Sequence, residues 1–474
     1  MIQIPSLPET QGGLLLQKID VGSGASGSRD LASRIAIEGS LHPDFQSVAA
    51  VFEKQLQNQR GGGSVCVYHR GECVVDLWGG YRDLDGSPWK SDTLAPSFST
   101  TKGVTSTLLH MMADRQLVDY DAPVAEYWPE FAQAGKAEIT VRHVLSHQSG
   151  LYHIRHMIDD AVRMCDWRHM IEAIERTEPI HPPGARTGYH GLTYGFLIGE
   201  ILQRVTGEDF PTLVRKELAE PLGLDGLYVG APDAALPRAA ELIWPDFANT
   251  LRENNLPAVP EWMENAAAEL SALLGRGFGA LGFKLDLASI AHALAPRGIS
   301  GFDFSSHETL RAPIPAGNGL FTARSLARMY AALAAGGEID GVRLLSKETL
   351  SRATERQVEA KGRSVLPFDM VWRLGYHGVA TSRGFPRHAF GHFGFGGSGA
   401  WADPSLDLSV AMTVNCGMGT PFGDVRIVRI GGAALACADR RTPVVASTIP
   451  LTLQRLGDTA LSLVRGGPKA PLVH

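Results

Sequence analysis

Two short, mostly apolar runs near the start of the chain, Ser64–His69 and Cys73–Trp78, flank the polar turn Arg70-Gly71-Glu72. Val-rich, strand-favouring runs on either side of a tight turn predict a β-hairpin. From Ser99 to about Leu117 the pattern changes, and Val104, Leu108, Met111 and Met112 recur at helical spacing. The stretch 138–206 reads as helices broken by loops such as His181-Pro182-Pro183-Gly184. Residues 230–315 are rich in Ala and Leu with scattered Pro and Gly, and read as a helical insertion. Helix returns over Ala323–Ala335, ahead of the turn Gly336-Gly337. Strand-like pieces follow at Met370–Tyr376, Ala389–Phe393, Gly399–Ala402 and Leu408–Asn415, the last two joined by Asp403-Pro404-Ser405. A final helix is expected near Val425–Ala438.

Strands toward both ends, with helices between them, predict an α/β (α+β) fold. One antiparallel sheet built from both termini is flanked by helices, and a helical lobe is inserted in its middle. The corresponding division is a lead-in over 1–44, Gly/Ser-rich in part (GSGASGS), a catalytic domain over 45–437, and a tail over 438–474. Within the domain, 45–125 and 315–437 form the α/β lobe and 126–314 the helical lobe. Its 230–314 insertion is a candidate lid.

Composition narrows the class. The 474 residues carry 44 Lys and Arg against 50 Asp and Glu, a formal net charge of −6, so no basic footprint for nucleic acid is present. With 44% hydrophobic and 20% charged residues the chain can build a large core. No apolar run approaches the roughly 18 residues that a spanning helix needs. The opening MIQIPSLPETQGG lacks the basic and apolar regions of a secretory signal. Cys66, Cys73, Cys165, Cys416 and Cys437 are odd in number and lack metal-type spacing, which suits free thiols in a reducing compartment. A cytoplasmic enzyme with no cofactor and no metal is the expectation. The oligomeric state, monomer or homodimer, stays open.

Three features carry chemistry. In Ser99-Thr100-Thr101-Lys102 a serine and a lysine stand three apart at a helix start, hence on one face. A serine hydroxyl needs a neighbouring base, and a lysine serves only where burial or other cations lower its pKa. Tyr189-His190-Gly191 follows the Pro-Pro-Gly turn, and a tyrosine near that lysine could relay a proton. In FGHFGFGGSGAWADP, His392-Phe393-Gly394 ends a strand in glycines that allow close backbone approach. The Phe395 N–H could face that of Ser99 as an oxyanion hole. Each feature also has an ordinary structural role: a serine helix cap, a packing tyrosine, a glycine-rich turn.

In this order the motifs resemble the serine β-lactamase and penicillin-binding protein superfamily, nearest to its class C branch and to the family VIII-type carboxylesterases. The flanks APSFSTTKGVTSTLLHMMADRQLVDYDAPVAEYWPEF, ITVRHVLSHQSGL and PAGNGLFTARSLARMYAALAAGG carry the resemblance across about 45–437, with 230–315 matching least. What it implies is an acyl-enzyme on Ser99, with Lys102 and Tyr189 sharing the base and acid roles. His392, Gly394 and Phe395 would meet the substrate. Two departures stand out: the superfamily's Tyr-x-Asn has Gly191 in place of Asn, and His392 replaces a common Lys. Both favour a plain ester of short-to-medium acyl chain over an acylamino-carboxylate. A β-lactamase, D-amino-acid amidase or peptidase, or an acyltransferase using Ser99, is the alternative, and a non-catalytic scaffold comes last.

Two decoys are set aside. Gly396-Gly397-Ser398-Gly399-Ala400 nearly matches a nucleophile elbow, but strand rather than helix follows it. His143, His147, His153 and His156 lack an obvious third acidic ligand for zinc, and Val144 sits where a zinc hydrolase would place Glu. His190 reads as a loop residue rather than an auxiliary base.

Overall fold

The computed structural model describes residues 35–441, apart from 58, 245–286, 359, 361, 367–368 and 418–423. Its sheet is built from β1 (Ile37–Leu41), β2 (Gly62–His69), β3 (Glu72–Gly80), β4 (His377–Gly378), β5 (Phe390–Phe393), β6 (Gly399–Asp403) and β7 (Leu408–Val414). The strand order is β1-β3-β2-β7-β6-β5-β4, antiparallel throughout, and the two ends of the chain meet where β2 pairs with β7. The sheet drawn from both termini is therefore as expected.

Alternation sorts the two faces. Val65 and Val67 on β2, with their partners Met412 and Val410 on β7, point to one side. There they pack with Val48 and Phe52 of helix α1 (Gln46–Leu56) and with Ile427 and Ile430 of the last helix, Arg426–Arg441. Cys66 and its partner Ala411, with Ala400 and Ala402, face the other side, against Leu326 and Met329. The alanines there leave room for a helix to lie close on the sheet.

On that second side lies α2 (Thr101–Asp114), buried from Thr101 to Met112. Its hydroxyls are placed without cost because each is bonded. Thr105 donates to Pro315 O at 2.6 Å, while Ser106 and Thr107 meet the Tyr194 and Tyr376 hydroxyls at 2.7 and 2.8 Å. The helical lobe contributes α3 (Ile154–Met157), α4 (Thr193–Thr206) and α5 (Leu287–Leu294), and α6 (Ala323–Ala334) covers the sheet. The last helix is α7. Among the described residues no helix is long and apolar enough to cross a membrane.

Several boundaries shift. Ile37–Leu41 was expected within the lead-in but pairs with β3, from Ile37 opposite Gly79 to Leu41 opposite Val75. The α1 helix behind it was not foreseen. α7 runs to Arg441, past the expected end of the domain. Met370–Tyr376 is not a strand, because its amides bond elsewhere: Leu374 N–H to Ala353 O at 3.1 Å and Gly375 N–H to Leu145 O at 2.9 Å. The insertion is helical only in part, since described residues near its start are irregular apart from the turn Leu236–Arg238. Its 245–286 portion, and with it the lid expectation, lies outside the described residues.

Candidate active site

Ser99 sits in the one-turn 3-10 helix Phe98–Thr100 that leads into α2. Phe98 holds φ at 44°, a region bulky residues seldom adopt, and such strain concentrates at functional turns. One turn on, Lys102 is fully buried. Its Nζ lies 3.1 Å from Ser99 Oγ and donates to Gly191 O at 2.6 Å and Ala316 O at 2.9 Å. Burial pushes its pKa well below the ordinary lysine value. A neutral amine has two N–H bonds and one lone pair. With Gly191 O and Ala316 O accepting from Nζ, a Lys102 in its neutral form would turn its lone pair to the Ser99 hydroxyl.

Tyr189 donates its O–H to Ser99 Oγ at 2.9 Å. Burial raises its pKa, so the phenol keeps its proton. The ring is stacked on Trp372, with centroids 5.8 Å apart at 13°, and meets His147 edge-on at 5.1 Å. His147 Nδ1 in turn accepts the His190 N–H at 3.2 Å, and His190 Nε2 meets Ser149 Oγ at 2.6 Å. His190 is wholly buried with its pKa lowered to about 3, so it braces the loop and is no base toward Ser99. His143 is elsewhere, its Nδ1 accepting the Thr140 N–H at 3.1 Å to close a helix cap. The four histidines of the sequence cluster therefore do not assemble.

His392 is buried on β5 and bonds Phe393 O through Nδ1 at 3.0 Å. Its neighbour His377 accepts the Phe393 N–H at 2.9 Å through Nε2. Burial, then His377 and Lys102, hold the His392 pKa well below the usual imidazole range. The ring is neutral, with Nδ1 donating and an unpaired Nε2 lone pair. This differs from the titratable carboxylate partner that a protonated His392 would make.

Beyond the strand, Gly394 allows the turn to touch the nucleophile's segment, since a Cβ there would stand 2.3 Å from Ser97 O. Its own N–H donates to Ser398 O at 2.8 Å. That turn carries Phe395, whose ring lies 5.7 Å from Phe98 and 6.4 Å from Trp244, while Phe304 lies 5.3 Å from Phe98. An aromatic wall thus adjoins Ser99. Ser398 is buried and accepts the Val414 N–H at 3.1 Å, a turn residue as expected.

Comparison with known proteins gives the family. The family model described as Beta-lactamase matches residues 48–435. The chain belongs to the beta-lactamase family. It is 40% identical over 384 residues to the esterase/beta-lactamase LipL of Mycobacterium tuberculosis, spanning 80% of this chain and 82% of that protein. Among solved structures, a penicillin-binding protein homolog from Caulobacter crescentus superposes with a TM-score of 0.70 at 34% identity. A family VIII carboxylesterase superposes with a TM-score of 0.69 at 31% identity. Each covers 85% of this chain and 99% of its own. The fold is thus the β-lactamase/transpeptidase-like one.

Gly191, the departure from Tyr-x-Asn, lies against α5. A Cβ at Gly191 would meet Leu294 Cδ2 at 2.1 Å and Ala293 O at 3.2 Å, so a larger residue there would require the Leu294 side chain to move. Sequence reasoning missed Ala316 O, Trp372 and Leu294. Trp372 and Leu294 carry no local signal, and Ala316 stands in a recognised flank whose sequence does not say that its carbonyl meets Lys102; each reaches the site from more than a hundred residues along the chain.

Proposed function

We propose that the protein is a serine carboxylesterase acting on short-to-medium acyl esters through an acyl-enzyme on Ser99. The observation that carries this reading is the convergence of Lys102 Nζ, at 3.1 Å, and the Tyr189 hydroxyl, at 2.9 Å, on the one Ser99 oxygen. As Ser99 Oγ bonds to the ester carbon, its proton passes to Lys102 Nζ. The alkoxide leaves with the Tyr189 proton, and the Lys102 ammonium restores the phenol. Water then attacks the acyl carbon and gives its proton to Lys102, Ser99 Oγ departs with the proton of Tyr189, and the Lys102 ammonium again returns its proton to the Tyr189 phenolate, restoring the resting enzyme. The Ser99 and Phe395 N–H groups are assigned to the developing oxyanion.

Substrate class follows from what borders the serine. Leu294 stands where an amide would greet a peptide-like side chain, and neutral His392 offers a lone pair where a substrate carboxylate would need a cation. The wall of Phe98, Phe304 and Phe395 suits an apolar acyl or alcohol group. A cytoplasmic setting belongs to the reading and is supported by five free thiols.

The test is hydrolysis of p-nitrophenyl esters of graded chain length beside a chromogenic cephalosporin, with Ser99→Ala as control. Esters should be cleaved, the cephalosporin weakly or not at all. No ester cleavage, full activity in Ser99→Ala, or fluorophosphonate label on Ser398 would each sink the proposal.

A further inference from the structure

We propose that His153, His156 and His292 form a binding site for one zinc-class transition-metal ion, fastening α3 to α5. His153 immediately precedes α3 and His156 lies within it, so the two share one side of the turn. His292 comes from α5, well over a hundred residues later. The imidazole centroids lie 5.4, 5.2 and 4.4 Å apart, and one ligating nitrogen from each ring falls within 4.8 Å of the others.

The donor set decides the class of ion. Three neutral nitrogens and no carboxylate suit zinc, copper or nickel, whereas calcium and magnesium require oxygen ligands. At Zn–N bonds of about 2.0–2.1 Å, nitrogens on a tetrahedral ion stand about 3.3 Å apart. His156 is exposed and the other two are half-buried, so side-chain rotation closes the difference. The fourth position is left to water.

The scaffold holds the ligands before any ion arrives. Arg155 Nη1 donates to Ala295 O at 3.0 Å, and Ala161 N–H donates to Arg297 O at 2.7 Å, tying the α3 segment to the end of α5. Such pre-positioning favours binding over that of scattered surface histidines. The consequence reaches the reacting groups indirectly. Next to His292, Ala293 and Leu294 pack against the Tyr189–Gly191 segment, so an ion would fix the helix that walls the proton relay.

Chelator-treated full chain without an affinity tag would be titrated with Co²⁺. One equivalent should bind with visible ligand-field bands of low-coordinate cobalt, displaced by Zn²⁺ but not by Mg²⁺. Zn²⁺ should also raise the thermal midpoint. His156→Ala, an exposed change that leaves the fold intact, and His292→Ala should each weaken binding at least about tenfold and abolish the thermal shift. His307→Ala, an exposed histidine outside the cluster, should change neither. Cobalt binding without such bands, or binding that survives both substitutions, would overturn the site. Ester hydrolysis is not the readout, so the outcome stands apart from that of the esterase reading.

Discussion

Among the described residues two lysines, Lys102 and Lys136, are completely buried, and they face opposite tasks. Lys136 donates to Gln133 O, Glu175 O and Thr177 O at 2.7–2.8 Å, so three carbonyls take all three N–H bonds of an ammonium. Lys102 finds two carbonyls and a serine. Burial lowers both pKa values, that of Lys136 to about 8 against the opposing pull of Glu175 and Glu178, and that of Lys102 well below its ordinary value with no acidic group opposing it. Burial alone therefore does not make a base. The third partner does: a carbonyl holds the proton on Lys136, whereas a hydroxyl leaves Lys102 a lone pair to use.

The sharpest break of this comparison is Lys102→Met. It should lower kcat/KM for a p-nitrophenyl ester by about 10³–10⁴, the range of a positioned general base. Tyr189→Phe comes next, with a loss of about 10²–10³. The stacked ring stays on Trp372, so thermal unfolding of this variant should match the parent. If kcat/KM is unchanged in Tyr189→Phe, the leaving alcohol takes its proton from elsewhere.

The pH profile should show a smaller, graded effect. Lys102 works only when neutral, so kcat/KM falls as pH drops through its lowered pKa, tenfold per unit. A flat acid limb would contradict a lysine base. The sign for stability is the same: below the ordinary lysine value the unfolded chain binds a proton that folded Lys102 resists, so this group favours folding more as pH rises.

Lys136→Met should change kcat/KM least, within about twofold, yet cost about 2–4 kcal/mol in denaturant unfolding because three buried carbonyls lose their donor. With the folded pKa near 8, the stability gap between parent and variant should widen as pH climbs from there toward 10.5. Activity lost in Lys136→Met while the fold persists would erase the distinction between the two lysines.

How much of this was readable beforehand depends on distance along the chain. Ser99 and Lys102 are legible because three residues on a helix bring side chains together whatever the rest does. Tyr189 is legible from its motif and flanks rather than from geometry, being 90 residues from Ser99. The histidines show the converse. Read locally, His143 to His156 looked like one cluster lacking a ligand. In the fold His143 caps a helix, His147 braces Tyr189, and the third partner of His153 and His156 is His292.

Periodicity, turn residues and one helix face were thus determined by the sequence itself: the hairpin, α2, α6 and the Ser99–Lys102 pair follow from contacts within a few residues. Tertiary structure alone decided the state of Lys102, since its carbonyl partners lie 89 and 214 residues away. It alone decided that Gly191 faces Leu294 and that β1 completes the sheet. A pKa is set by what surrounds a group in three dimensions, and no local pattern in the chain records which distant carbonyls will come to surround it.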